Sequence, residues 1–177
     1  FHNDSGPITV ANKKINLKLL DEFQNAAEEY GIPKTNDFNT GDNTGIGFFQ
    51  FTTNHNKSLL KLRCSAAKGY LNPVKKRNNL KIITEAHVQK INFDGKKAES
   101  VSFYQGNEVV TVKARREIIL SAGSIGSPHI LQVSGVGDSG KLKKQGIQTI
   151  HELKGVGKNL QDHLMFRPVY KVKNLKS

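Results

Sequence analysis

The sequence predicts an α/β fold, and three features of its 177 residues carry that prediction. Between residues 80 and 112, short runs of β-forming residues alternate with turn signals, which is typical of an antiparallel β-meander. The next run, Glu117–Leu120, is typical of a strand buried on both faces of a sheet. Apolar residues recur at helical spacing over 17–30, and a shorter helix is expected at 128–133.

The amino-terminal part is predicted to place one helix after a loop. A short extended piece at Ile8–Val10 follows the turn signal of Gly6 and Pro7. Asn16 is the expected N-cap of the first helix, which is predicted to stop at Gly31, two residues before Pro33. This helix is expected to pack its apolar stripe against the rest of the domain.

Irregular chain is predicted to follow the first helix. Residues 35–53 are rich in Asn, Asp, Gly and Thr, yet they contain the apolar patch Ile46–Phe51. We expect this loop to line a cavity or to contribute to a core. A short helix is predicted at Ser65–Leu71, because Asn72 precedes a proline and helical geometry is disfavoured there.

The second half of the chain changes to the two-residue period of strands. After the strand at 117–120, a turn rich in small residues leads into a helix that is predicted to begin at Ser127. A basic amphipathic piece at 141–145 stops at Gly146 and leads to an extended stretch at 149–153. The strands of the meander are expected at Leu80–Ile83, Val88–Phe93, Val101–Phe103 and Val109–Val112.

The chain is strongly basic, with a formal net charge of +12 and a pI near 9.8. Such a charge suggests an anionic partner, but 22 of the 27 basic residues are Lys, whereas phosphate and base recognition favours Arg. A solvated basic face is therefore expected rather than a nucleic-acid site. We also expect no metal site, because the lone Cys64 and the six histidines do not have the spacing of zinc ligands.

No transmembrane segment is expected, because no run of 18 or more apolar residues occurs. The first residues lack the basic and apolar regions of a signal peptide, and the sequence predicts a cytoplasmic protein. The chain begins without Met and its last residues directly follow an alternating run, so we expect it to be a segment of something longer.

The turn at Ser121–Pro128 is the strongest candidate for a ligand site. Small residues between a buried strand and a helix let a flat or phosphate-bearing ligand approach the backbone, and helix N-termini favour anions. Such turns commonly hold nucleotides. A tight turn that uses Gly and Ser for geometry alone explains the local spacing equally well.

Longer motifs decide between these readings. Residues 123–137, GSIGSPHILQVSGVG, closely resemble the second signature of the glucose-methanol-choline (GMC) oxidoreductases, which are FAD-dependent alcohol-oxidising enzymes. The segments 155–163, 63–73 and 79–88 resemble further family motifs in the same order. Phe1–Pro7 resembles the family's entry into its substrate domain, so the resemblance extends over nearly the whole chain.

The resemblance implies a partial FAD-binding domain of the Rossmann-like flavoprotein type, with its β-meander, and part of an α+β substrate-binding domain. The implied boundaries assign 1–75 to the substrate-binding domain, 76–163 to the FAD-binding domain and 164–177 to a return into the substrate-binding domain. The chain would be a central fragment whose parent oxidises an alcohol by hydride transfer to the flavin. A non-catalytic relative that binds a nucleotide or a partner is the alternative.

No catalytic residue is assigned, because the dinucleotide fingerprint G-x-G-x-x-G and the distal catalytic His of the family are both absent from this chain. The fragment alone is therefore expected to be inactive. The resemblance implies FAD as cofactor and a small-molecule alcohol as substrate. The electron acceptor is not identified by it.

The resemblance implies two groups of cofactor-binding residues. Val88 would hold the adenine of FAD through its backbone amide and carbonyl, and Ala122 and Gly123 would lie near the adenosine. In isolation, Val88 is an ordinary core residue of a strand.

Asn159, Asp162 and His163 form the second group, because the family's matching loop borders the flavin and the substrate cavity. For Asn159 and Asp162, a structural role in tying down a turn is favoured over a catalytic one. Choline-oxidising relatives often have an acidic residue where this chain has Met165, so we expect a substrate other than choline.

Overall fold

A computed structural model describes residues 5–12, 17–53 and 62–173 of the chain. The chain divides into two compact units. The first comprises the described residues of Phe1–Ile82 and Pro168–Ser177, and the second is Ile83–Arg167.

The first unit contains one long helix, α1 (Lys18–Glu29), as the apolar periodicity predicts. Leu17 is its N-cap and makes no side-chain capping bond, and the predicted cap Asn16 lies outside the described residues. Near its C-terminal end, Lys34 ties the following loop back to the helix, because its Nζ donates to Asn25 Oδ1 at 2.8 Å and lies 2.7 Å from Glu28 Oε2.

The remainder of the first unit is mostly irregular, as the loop composition predicts. Two short strands, β1 (Ala11–Asn12) and β2 (Gln50–Phe51), pair antiparallel, so the expected extended piece lies slightly later than Ile8–Val10. The short helix predicted at 65–71 forms as a π-helical turn at Ala67–Leu71. Next to it, the buried Cys64 thiol donates to the Pro7 carbonyl at 3.7 Å.

The second unit is built on the predicted β-meander. Its strands are β3 (Ala86–Asp94), β4 (Lys97–Gln105) and β5 (Glu108–Lys113), and the antiparallel sheet has the order β3-β4-β5. The two hairpin turns fall at Gly95 and Gly106, which have φ values of +55° and +62°. Glycine adopts this conformation without steric cost, which is why the turn signals in the sequence are reliable here.

The β3–β4 pairing contains two irregularities. Val88 lies opposite Phe103, whereas Lys90 lies opposite Ser102, so Gln89 is an extra residue in β3. Asn92 lies opposite Ser100 and Phe93 opposite Ala98, so Glu99 is an extra residue in β4. The two ends of the hairpin therefore keep one register, and the pairs between the irregularities have another.

A helix and a smaller βαβ arrangement follow the sheet. Helix α2 (Gly123–Val133) precedes β6 (Val136–Gly137), α3 (Ser139–Lys144) and β7 (His151–Glu152), and β6 pairs with β7 in parallel. Gly135 joins the two ends of this βαβ arrangement, because its carbonyl accepts from the Ile150 amide at 2.8 Å. A Cβ at Gly135 would lie 2.5 Å from the Gln148 carbonyl, so only glycine fits there.

The end of α2 is fastened to the edge of β3 by one hydroxyl. Ser134 Oγ accepts from the Ile91 amide at 2.8 Å and donates to the Ile130 carbonyl at 2.5 Å. Ser134 and Ile91 are only 7% and 6% exposed, so water does not compete for these groups. Such a bond is costly to remove, because the partner is left buried without a hydrogen bond.

Two predicted strands do not form. Residues 80–83 and 117–120 pair with no strand among the described residues, and Ile119 is 78% exposed. A strand needs a neighbour for its backbone groups, and an apolar run alone does not supply one.

The helix predicted from Ser127 begins four residues earlier, at Gly123, and contains Pro128. Proline was expected to mark the start of the helix, but here it lies inside, where it removes only one backbone bond. Within the described part of the chain, no helix has both the length and the apolar content needed to cross a bilayer.

Replacing Ser134 with Ala is expected to destabilise the intact protein, meaning the full reading frame that contains this chain, by about 1–3 kcal/mol. The buried Ile91 amide would lose its acceptor. Calorimetry of the intact protein measures this loss, with Ser139→Ala in α3 as the matched control, for which a change below about 0.5 kcal/mol is expected. Equal effects of the two substitutions would contradict the role given to Ser134.

Replacing Glu85 with Gly is expected to raise the unfolding temperature. Glu85 has a φ of +54°, which costs a residue with a Cβ about 1–2 kcal/mol, more than the entropy that glycine adds to the unfolded chain. Asn159, at +58°, is the control, because Asn tolerates this region and Asn159→Gly should bring no gain. A destabilised Glu85→Gly variant would show that the Glu85 side chain outweighs the backbone strain.

Candidate functional site

Two of the predicted cofactor-binding residues line one cavity in the second unit. The strand–helix cavity, of about 410 Å³, lies between β3 and α2. Val88 contributes from the strand and Ala122 from the residue before the helix, although they are 34 positions apart in the sequence. Its other lining residues are Ala86, His87, Gln89, Tyr104, Gly126, His129, Ile130 and Val133.

The backbone of Val88 faces the open edge of the sheet. Ile91 gives its amide hydrogen to Ser134, away from β4, so the Ile91–Val101 pair makes no ladder bonds. Phe103 stands two residues from Val101 and has the same orientation, so its partner Val88 also directs its amide and carbonyl outward. Glu99, two residues before Val101, accepts a hydrogen bond from the Ala114 amide on the β5 side of β4. This agrees with Val101 and Phe103 directing their backbone groups toward β5 and away from β3.

Gln89 determines which residue has this orientation. In a regular ladder Gln89 would lie opposite Phe103, but the extra residue moves Val88 into that place. The side-chain amide of Gln89 donates from Nε2 to Tyr104 Oη at 3.3 Å, which holds the irregular residue against β4. The geometry of the cavity edge thus depends on a bulge that sequence patterning does not show.

Small residues open the helix side of the cavity. Gly123 has a φ of +81°, and a Cβ there would meet no atom within 4 Å, so the backbone at the start of α2 is accessible. Ala122 donates its amide hydrogen to Ser127 Oγ at 3.1 Å, which fixes the turn before the helix. A planar ligand can therefore approach both the strand edge and the first turn of α2.

Asn159 lies on the other side of α2. It lines a separate helix–loop cavity of about 860 Å³, between α2 and the loop 155–161. Gly157 brings this loop close to the helix, because a Cβ there would lie 2.6 Å from the Gln132 amide nitrogen. The same side-chain nitrogen, Gln132 Nε2, donates to the Val156 carbonyl at 3.2 Å. Asn159 is therefore positioned by the loop, and not grouped with Val88.

Asp162 and His163 lie on exposed chain after this loop. The Asp162 carboxylate accepts from the His163 backbone amide at 2.8 Å, so the two neighbours are linked to each other. Neither residue lines the strand–helix cavity or the helix–loop cavity. The structure thus brings Val88 and Ala122 together beside Gly123, and separates them from Asn159, Asp162 and His163.

The sequence analysis missed several residues of the strand–helix cavity. Gly126, His129 and Val133 share one face of α2 at helical spacing, so a helix placed correctly from Gly123 would have identified them. Tyr104 reaches the cavity through its pairing with His87, which local sequence does not reveal.

Asp138 controls the start of α3. Its carboxylate accepts from the Lys141 amide at 3.2 Å, and Lys158 Nζ lies 3.5 Å away. The backbone hydrogen bond from Lys141, together with Lys158, holds the pKa of Asp138 below its usual range. The group is therefore an anion at neutral pH, and it links α3 to the loop that carries Asn159.

Comparison with known proteins agrees with the predicted fold. The chain superposes with a TM-score of 0.81 on an FAD-dependent oxidoreductase from Chaetomium thermophilum, at 34% identity, covering 89% of this chain and 27% of that one. It superposes with a TM-score of 0.77 on pyridoxine 4-oxidase from Mesorbium loti, at 28% identity, covering 92% and 31%. The predicted α/β flavoprotein fold is confirmed.

Sequence comparison identifies the family. The chain is 42% identical over 165 residues to the oxygen-dependent choline dehydrogenase of Pectobacterium atrosepticum, which covers 93% of this chain and 29% of that relative. The chain thus spans less than a third of the length of that relative. The family model for the GMC oxidoreductases matches residues 2–165. With the signature at 123–137 and this match over nearly the whole sequence, the chain belongs to the GMC oxidoreductase family.

Proposed function

We propose that the intact protein is an FAD-dependent oxidoreductase that converts an alcohol to an aldehyde or ketone. The observation that carries this proposal is the strand–helix cavity, which Val88 lines from β3 and Ala122 lines from the residue before α2. Family membership supplies the reaction class. The unit Ile83–Arg167 would then contain part of the FAD-binding domain, and the other unit part of the substrate-binding domain.

The residues of the cavity fit the adenosine part of FAD. Adenine offers a hydrogen-bond acceptor beside an amino donor, and Val88 offers one amide donor and one carbonyl acceptor on the same edge. The open space at Gly123 allows the ribose to approach the backbone. A side chain that only packs is sufficient at Val88, because the recognition uses backbone atoms.

This chain contributes binding and positioning. FAD, when bound, supplies the redox chemistry by accepting hydride from the alcohol at flavin N5. Val88, Ala122 and Gly123 hold the adenosine end, and we assign the flavin end to the exposed segment of Asn159, Asp162 and His163. Fixing both ends orients the flavin, which lowers the entropic part of the barrier.

The substrate is proposed to be an alcohol without a cationic head group. Met165 Sδ lies 3.1 Å from Arg167 Nε, so the local charge is positive where an acidic residue would pair with a quaternary ammonium. The relative from Pectobacterium is named a choline dehydrogenase. This chain has Met165 at the position where, by the family resemblance, choline-oxidising relatives often have an acidic residue.

A cytoplasmic location is also part of the proposal. Cys64 is buried as a free thiol beside Pro7. A reducing compartment preserves such a thiol.

Replacing Val88 with Pro is expected to weaken FAD binding about tenfold in the intact protein. Proline removes the amide donor, and one lost hydrogen bond of about 1.4 kcal/mol corresponds to a factor of ten. Val88→Ile keeps the backbone groups and should bind FAD normally. Flavin absorbance per protein and a titration of the apoprotein with FAD measure both effects.

Val109→Pro is the matched control for this experiment. Val109 lies on the opposite edge of the same sheet, and its amide also faces away from β4, because its neighbour Val110 pairs with Phe103. The Val109→Pro variant should therefore bind FAD as the wild-type protein does. Equal loss in Val88→Pro and Val109→Pro, or loss in Val88→Ile, would contradict backbone recognition at Val88.

Replacing Met165 with Glu is expected to raise the preference for choline. A carboxylate beside Arg167 would offset its charge and attract a quaternary ammonium, so kcat/KM for choline relative to an uncharged alcohol should rise at least about tenfold. Met165→Gln, with the same shape and no charge, should leave the ratio unchanged. A wild-type enzyme that already prefers choline would overturn the proposed substrate class.

A further inference from the structure

A third cavity lies between the C-terminal half of α2 and α3, next to the strand–helix cavity. This lysine-rimmed cavity has a volume of about 580 Å³, within the range of small-molecule sites. Nine residues line it: His129, Gln132, Val133, Asp138, Lys141, Leu142, Lys144, Gln145 and Ile147. It shares His129 and Val133 with the strand–helix cavity and His129 and Gln132 with the helix–loop cavity, and none of the cofactor-binding residues assigned above lines it.

The floor of the lysine-rimmed cavity is apolar. Val133 of α2, Leu142 of α3 and Ile147 of the following loop all line it, and Leu142 is only 4% exposed. These side chains come from three consecutive elements that β6 and β7 hold in place through their parallel pairing. The floor therefore offers an apolar surface whose position is fixed by backbone hydrogen bonds.

The rim is cationic. Lys141 and Lys144 are three residues apart and line the same cavity from α3, with the amide of Gln145 beside them. None of the ion pairs among the described residues involves either ammonium group. Lys143, on the same helix, does not line the cavity.

The single acidic residue of the lining does not cancel this charge. Asp138 already accepts the Lys141 amide hydrogen, and Lys158 lies 3.5 Å from its other oxygen. Lys158 is not part of the cavity, so it offsets Asp138 from outside. Two ammonium groups thus stand over an apolar floor without a carboxylate of their own.

We propose that the lysine-rimmed cavity binds an amphipathic carboxylate, an aliphatic chain of about six to ten carbons with one terminal carboxylate. The chain lies on Leu142, Val133 and Ile147, and the carboxylate accepts hydrogen bonds from Lys141 and Lys144. Burial of the apolar carbons favours binding of the chain, and the ammonium groups select the charged end. The proposal does not rest on the assignment of FAD or of the alcohol, because Lys141, Lys144, Leu142 and Ile147 line neither the strand–helix cavity nor the helix–loop cavity.

Isothermal titration calorimetry of the flavin-loaded intact protein with octanoate tests the proposal. We expect saturable binding with one site per chain that weakens with salt, as ion pairing near a surface requires. Octanol has the chain without the charge, and acetate has the charge without the chain. Each should bind at least about tenfold more weakly, which is about 1.4 kcal/mol.

Two variants show whether octanoate binds in this cavity. The double variant Lys141→Gln/Lys144→Gln should weaken octanoate binding at least tenfold, whereas Lys143→Gln on the same helix should change it less than twofold. Both change only exposed side chains, and an unchanged melting temperature verifies the fold. Absence of saturable binding, equal affinity for octanol, or octanoate binding that persists in the double variant would each overturn the proposal.

Discussion

The Ser134 hydroxyl connects the two elements that form the strand–helix cavity. It accepts the outward amide hydrogen of Ile91 in β3 and donates to the Ile130 carbonyl at the end of α2. Among the described residues, this bridge is the buried hydrogen bond that joins the edge of the sheet to the end of the helix. The same bond reveals the orientation of the β3 backbone, because an amide that reaches Ser134 cannot also pair with β4. The contact between α2 and β3 therefore depends on one small side chain, and the same bond shows how the strand that carries Val88 is oriented.

Local sequence predicted the parts of the fold that local interactions determine. The meander and α1 were recognisable because glycine turns and an apolar stripe lie within a few residues of one another. The strand predicted at 117–120 did not form, because a strand requires a partner and the apolar run Ile118–Leu120 has none in the described chain. The start of α2 was placed too late, because Pro128 was interpreted as a boundary.

The candidate site was only partly predictable for the same reason. Val88 came from a family resemblance alone, since its side chain is not distinctive. The turn at Ser121–Pro128 was a candidate from its small residues, and the resemblance assigned it to the adenosine. Tyr104 and Gln89 come to the cavity through strand pairing, and the extra residue that orients Val88 has no signature in a single sequence. The lysine-rimmed cavity was equally hidden, because Lys141 and Lys144 appear in the sequence as part of a solvated basic piece.

The two irregular residues of the β3–β4 hairpin also constrain how this protein can evolve. Gln89 shifts the register by one residue, and Glu99 shifts it back, so nine-residue strands still meet at both ends. A single-residue gain or loss in either strand would turn every side chain beyond it to the opposite face. Insertions and deletions in this hairpin should therefore survive only as compensating pairs, one in each strand, and an alignment of homologues would record them as coupled gaps.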